Sequence, residues 1–95
     1  MTEMQARTQR GFVVTGQVQG VGFRWWAART ARALDLAGTV RNCPDGSVEI
    51  HVAGAAEAVA SLAALLEEGP PAARVHRVTP VPSNVMLPND FRLIG

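Results

Sequence analysis

The chain contains no lysine, and all nine of its basic residues are arginine, against eight acidic ones, for a net charge of +1. A Walker phosphate loop needs a lysine at a fixed place, so that nucleotide site is excluded. So slight a positive balance also excludes the broad basic face on which nonspecific nucleic-acid binding depends. Any anion bound here is expected to be small and held locally. Cysteine is nearly absent: Cys43 stands alone and cannot close an internal disulfide, so the fold does not depend on an oxidising compartment. No apolar stretch approaches the roughly 18 residues that a membrane helix requires. The N-terminal MTEMQARTQR lacks the apolar centre of a secretory signal. A cytoplasmic protein is expected.

What remains is the composition of a globular protein, 95 residues with 47% hydrophobic and 18% charged, enough for one core and one domain. There is no repeat, linker or low-complexity segment. Residues 1–9 are polar and aperiodic and read as a flexible leader, which leaves 10–95 as a single domain.

GFVVTGQV is short and rich in β-branched residues, and predicts a strand over about Arg10 to Gly16. QVQGVG then reads as a loop. Phe23, Ala27, Ala31 and Leu34 recur at helical spacing and predict an amphipathic helix over Phe23 to Leu36, with Gly38 marking its end. In TVRNCPDGSVEIHVAG, Val48, Ile50 and Val52 alternate with polar residues, while Pro44, Asp45 and Gly46 supply turn chemistry, so a hairpin is expected. A second helix over about Ala55 to Glu68 carries Val59, Leu62, Leu65 and Leu66 as its buried stripe and stops at Gly69, Pro70 and Pro71. Arg74 to Val81 reads as a strand suited to a sheet edge, because Pro80 and Pro82 cannot donate to a ladder. Phe91 to Ile94 reads as a short terminal strand or strand extension. The order strand, helix, strand, strand, helix, strand predicts an α+β, ferredoxin-like split βαβ sandwich. Its sheet would be four-stranded and antiparallel with two helices on one face, and a short extra C-terminal strand is allowed for.

The strand, the loop and the start of the first helix form the one unit with anion chemistry. A helix N-terminus offers free amides and a positive dipole end. No Ser, Thr, Asp or Asn just before Phe23 caps those amides. Gly20 and Gly22 permit unusual dihedrals and close backbone approach, and Arg24 adds a planar charged fork that matches phosphate oxygens. From spacing alone two descriptions stand: a phosphate cradle, or glycines that merely turn the chain and an arginine that faces solvent. A dinucleotide fingerprint is excluded, because its third glycine would fall at Trp25.

GQVQGVGFR (Gly16 to Arg24) and GTVRNCPDGSVEI (Gly38 to Ile50) together resemble the two signature segments of acylphosphatases. The resemblance continues through Gly54, the GPP at Gly69 to Pro71, ARV at Ala73 to Val75 and Phe91. It implies a free-standing, metal-independent enzyme without cofactor that hydrolyses acyl phosphates to a carboxylate and inorganic phosphate. Arg24 is then the phosphate-binding arginine, aided by loop amides of Gln19, Gly20, Val21, Gly22 and Phe23, and Asn42 orients the attacking water. Thr39 stands where a bulky aromatic is common, which implies altered packing beside the site, and residues 83–88 are less typical.

The chemistry is compatible with so spare a site. The leaving group is a carboxylate whose conjugate acid has a pKa of about 4, so it departs without a proton. A loose, metaphosphate-like transition state asks for positioning and charge stabilisation rather than for a strong nucleophile. His51 and His76 have no companion at metal-ligand spacing and read as structural or solvated. Cys43 adjoins Asn42, but a cysteine phosphatase loop would place an arginine where Glu49 stands, so it reads as a half-buried thiol. Asp45 and Glu49 belong to a turn and an exposed strand face. Trp25 and Trp26 point in different directions, at least one of them toward the sheet or the site entrance.

Two other classes share the fold. A binding module for RNA would carry aromatics on its central strands, whereas three of the five here, Phe23, Trp25 and Trp26, cluster at the first helix. A module of a larger carbamoyl-transfer protein is the other. The expected protein is a monomer whose partners are a small acyl phosphate and inorganic phosphate, not a nucleic acid or a membrane.

Overall fold

Alternating apolar residues build one buried sheet face from Phe12, Val14, Val40, Val48, Ile50 and Val52, none more than 3% exposed. The computed structural model describes residues 7–95. Its elements are β1 (Arg7–Gln17), α1 (Phe23–Ala33), β2 (Ala37–Asn42), β3 (Val48–Ala55), α2 (Ala56–Glu68), β4 (Arg74–Val81) and β5 (Phe91–Ile94). The sheet order is β4-β1-β3-β2-β5. The first four strands pair antiparallel, and β5 joins β2 in parallel. This is the ferredoxin-like α+β arrangement with a fifth strand added at the edge. Against the buried face pack Phe23, Ala27, Ala28 and Ala31 of α1 and Val59, Leu62 and Leu66 of α2.

Several boundaries differ from expectation for identifiable reasons. Arg7, Thr8 and Gln9 are not leader but strand, paired with Ala55, Gly54 and Ala53; β3 runs long enough to give their polar sequence a partner. The rest of the expected leader, 1–6, lies outside the described residues. Leu65 is not in the buried stripe but 38% exposed, since α2 aims Val59, Leu62 and Leu66 inward instead. Pro80 does lie on an edge strand, β4.

The first helix ends at Ala33, short of Leu36. The Asp35 amide donates to the Arg32 carbonyl at 3.0 Å and the Leu36 amide to the Ala31 carbonyl at 2.9 Å, the paired bonds of a Schellman terminus. Asp35 occupies the left-handed position, φ 60°, normally given to glycine. Gly38 instead lies inside β2, at φ 147°, where a Cβ would strike the His51 carbonyl oxygen. Asp35→Gly should therefore stabilise the protein. Relief of about 1–2 kcal/mol of left-handed strain outweighs about 0.4–1 kcal/mol of added unfolded-state entropy. A rise of a few degrees in Tm is expected, and a fall would show that Asp35 makes a compensating contact.

The segment joining β4 to β5 straps the helix-free face of the sheet. Ser83 Oγ lies 2.6 Å from His51 Nδ1, and Gln9 Nε2 donates to Ser83 Oγ at 3.1 Å and to the Val85 carbonyl at 2.8 Å. On the same face Arg41 donates to Glu49 at 2.8 Å, and His51 Nε2 lies 3.2 Å from the other Glu49 oxygen. Burial pushes the Glu49 carboxyl up, but the bonds from Arg41 and His51 prevail and hold it below its usual range. Strap and network together deliver the chain to β5, which borders the site.

Candidate active site

Because β1 and β2 both pair antiparallel with β3, they run the same way and finish at the same end of the sheet. Val14 and Asn42 flank a single residue, Val48, from its two sides. All three share the helix-side face, since directly opposed residues point together. The loop that leaves β1 and the start of α1 lie just beyond, so the last residue of β2 comes to the helix N-terminus.

The loop itself is anchored by Val18, which is buried. Gly20 and Gly22 have φ of 75° and 78°, the left-handed region that a Cβ penalises. Gly22 is the N-cap of α1 and brings no capping side chain. Among the described residues, no amide from Gln19 to Phe23 donates to a backbone carbonyl. These amides and the helix dipole favour an anion. The Gln19 side chain turns away, donating from Nε2 to the Cys43 and Ser47 carbonyls at 2.8 Å each, and so ties the loop to the β2–β3 turn beside Asn42. That turn is set by Asp45, whose Oδ1 accepts from the Ser47 hydroxyl at 2.7 Å and the Ser47 amide at 3.0 Å. These bonds hold the Asp45 carboxyl below its usual range. Ser47 is buried for this purpose.

Arg24, Asn42, Gly20 and Gly22 face one cavity of about 140 Å³. Val18, Phe23, Trp25 and Leu93 complete its wall. Arg24 is half-buried and donates from Nη1 to the Ile94 carbonyl of β5 at 3.2 Å, which leaves other donors of the same planar group for an anion. Asn42 Oδ1 is buried and accepts no hydrogen bond among the described residues. A buried acceptor of this kind costs about 1–3 kcal/mol when unsatisfied, and it can be relieved by a donor in the cavity. Arg24 is the only charged residue of the wall among the described residues. The chemistry on offer is an anion held by a guanidinium and by backbone amides, with a polar acceptor beside it.

Of the expected site residues, Gly20, Gly22, Phe23, Arg24 and Asn42 meet at this cavity, whereas Gln19 and Val21 are in the loop but not in its wall. Thr39 is not beside the site. Its side chain lies on the opposite sheet face, bordering a separate cavity under the strap. Cys43 is half-buried and outside the wall. Among the described residues no three His, Cys, Asp or Glu side chains converge as metal ligands, and no helix is long and apolar enough to cross a membrane. Val18 and Leu93 were not foreseen as site residues, and Trp25 only as one of two tryptophans of which at least one would point toward the sheet or the site entrance. For Leu93 the signal was its two-residue spacing from Phe91, which puts both on the helix-side face of β5.

The acylphosphatase family model matches residues 10–93. An acylphosphatase of Nitrobacter hamburgensis is 53% identical over 73 residues, 77% of this chain and 74% of that protein. Among solved structures, an acylphosphatase from Coxiella burnetii superposes with a TM-score of 0.87 at 36% identity, covering 93% of each chain. Full-length HypF in its phosphate- and nucleotide-bound form matches with a TM-score of 0.88 at 25% identity, covering all of this chain and 13% of that one.

Proposed function

Because this chain belongs to the acylphosphatase family and is a hydrolase of acyl phosphates, we propose that Arg24, Asn42 and the amides of Gln19, Gly20, Val21, Gly22 and Phe23 divide that reaction between them. The observation that carries the assignment is the unsatisfied Asn42 Oδ1 in the same small cavity as Arg24 and the uncapped helix start. Arg24 and the amides bind the phosphoryl oxygens and stabilise the charge they gain in the transition state. Asn42 Oδ1 accepts a hydrogen bond from a water and aims its oxygen at phosphorus. As the P–O bond to the acyl group breaks, its electron pair leaves with the carboxylate. The water oxygen becomes the fourth oxygen of inorganic phosphate; one of its two protons stays on the phosphate and the other is released to solvent.

Every group named comes from one chain, which supports a monomer as the working unit. Residues 7–95 form one acylphosphatase-like domain, since Arg7 to Gln9 continue β1, and its partners are an acyl phosphate and inorganic phosphate, not nucleic acid. A cytoplasmic location accords with a fold that calls for no disulfide.

Purified protein is expected to hydrolyse benzoyl phosphate at a rate that a chelator leaves unchanged. Turnover that vanishes with chelator and returns with added metal would overturn this division of labour. A folded protein with no turnover would make the cavity an anion-binding site only.

A further inference from the structure

Trp25 and Trp26 adjoin on α1 but meet opposite circumstances. Trp26 stacks obliquely on Phe23, with ring centroids 5.4 Å apart, and packs on the core. Trp25 is 63% exposed and takes no part in the core, yet it borders the cavity that holds Arg24 and Asn42. Packing accounts for the first indole and not for the second.

The cavity is small. Its 140 Å³ must take a phosphoryl group together with an attacking water, whose own share of liquid volume is about 30 Å³. An acyl group joined to that phosphate therefore extends past the mouth. Of the apolar wall residues, Val18 and Phe23 are buried, so the surface that an emerging acyl group meets is Trp25, with half-buried Leu93. Among the described residues no carboxylate lines the wall, and Arg24 is its only cation.

Building on the assignment of this cavity to the phosphoryl group, we propose that the exposed Trp25 indole is the platform for the acyl group and selects acyl phosphates with uncharged, planar aromatic acyl groups over short aliphatic ones. An aromatic ring offset on the indole gains from both apolar contact and stacking. An acetyl group is too short to cover the indole. Trp25 then contributes to binding and leaves the chemical step to Arg24 and Asn42.

The test compares benzoyl phosphate with acetyl phosphate in the wild type, Trp25→Ala and Trp25→Phe. In Trp25→Ala the KM for benzoyl phosphate should rise about 3- to 10-fold, with kcat nearly unchanged and the acetyl phosphate constants within about twofold. Trp25→Phe should recover most of the loss. Equal shifts for both substrates, or none, would overturn the proposal while leaving the phosphoryl site intact. Absence of wild-type turnover on either substrate would count against the phosphoryl site itself, and the platform would fall with it.

Discussion

Arg24→Ala is expected to lower kcat/KM for benzoyl phosphate by at least about a thousandfold, the lower end of what a single transition-state arginine supplies in phosphoryl transfer. Competitive inhibition by inorganic phosphate should disappear with it. Among the described residues the guanidinium is the only charge lining the cavity, so none of them substitutes for it, and the loop amides alone provide dipoles rather than a full charge. Arg24→Lys should recover a minor share, because an ammonium restores charge but not the planar fork. One contact complicates the variant: Arg24 also donates to the Ile94 carbonyl, which fastens the end of β5 to α1. That tether is backed by Arg32, which donates to the Phe91 carbonyl from Nη2 at 2.7 Å, and by the Gly38 amide, bonded to the Asp90 carbonyl at 2.9 Å. Thermal melting should accordingly shift little. Retained inhibition by phosphate in a folded Arg24→Ala would remove this residue from the binding site.

How much of this was readable from the residues depends on the range of the interaction. Val48, Ile50 and Val52 declared their strand and its inner face, and the uncapped helix start was visible in the residues before Phe23. Both follow from local periodicity and capping. That Arg24 and Asn42 share a cavity was not derivable from spacing, because it requires β3 to lie between β1 and β2 with Val14 and Asn42 abreast of Val48. This pairing joins distant parts of the chain. Asp35 hid the helix end, since a residue other than glycine in the left-handed position gives no compositional signal. The short strand over Phe91 to Ile94 was readable and stands as β5, but its parallel pairing with β2 was not, because it is secured by Arg32 and Gly38 from elsewhere. Adjacent tryptophans on one helix point about 100° apart, and which of the two reaches the core depends on where Phe23 packs.

Asn42→Ala should separate catalysis from stability in a way that few substitutions do. Its turnover is expected to fall about 10²- to 10³-fold, the usual cost of deleting one preorganised polar group. Inhibition by inorganic phosphate should remain, because Arg24 and the loop amides are untouched. The fold loses little: Asn42 sits in the ladder through its backbone, paired with Val48, and alanine preserves that pairing. The side-chain oxygen that disappears is buried without a partner among the described residues, so removing it also removes a desolvation penalty of about 1–3 kcal/mol. A Tm equal to or above that of the wild type is therefore the expected companion of the lost turnover, as where a site is maintained at some expense of stability. Asn42→Asp sharpens the test. A carboxylate also accepts a hydrogen bond from water, but its charge would face the phosphoryl oxygens, so phosphate affinity should fall where alanine leaves it alone. Steady-state kinetics, phosphate inhibition and thermal melts on the two variants distinguish the alternatives. Unchanged kcat in Asn42→Ala would show that the water is oriented by another group, and parallel loss of rate and phosphate affinity would show that Asn42 binds the phosphoryl group instead.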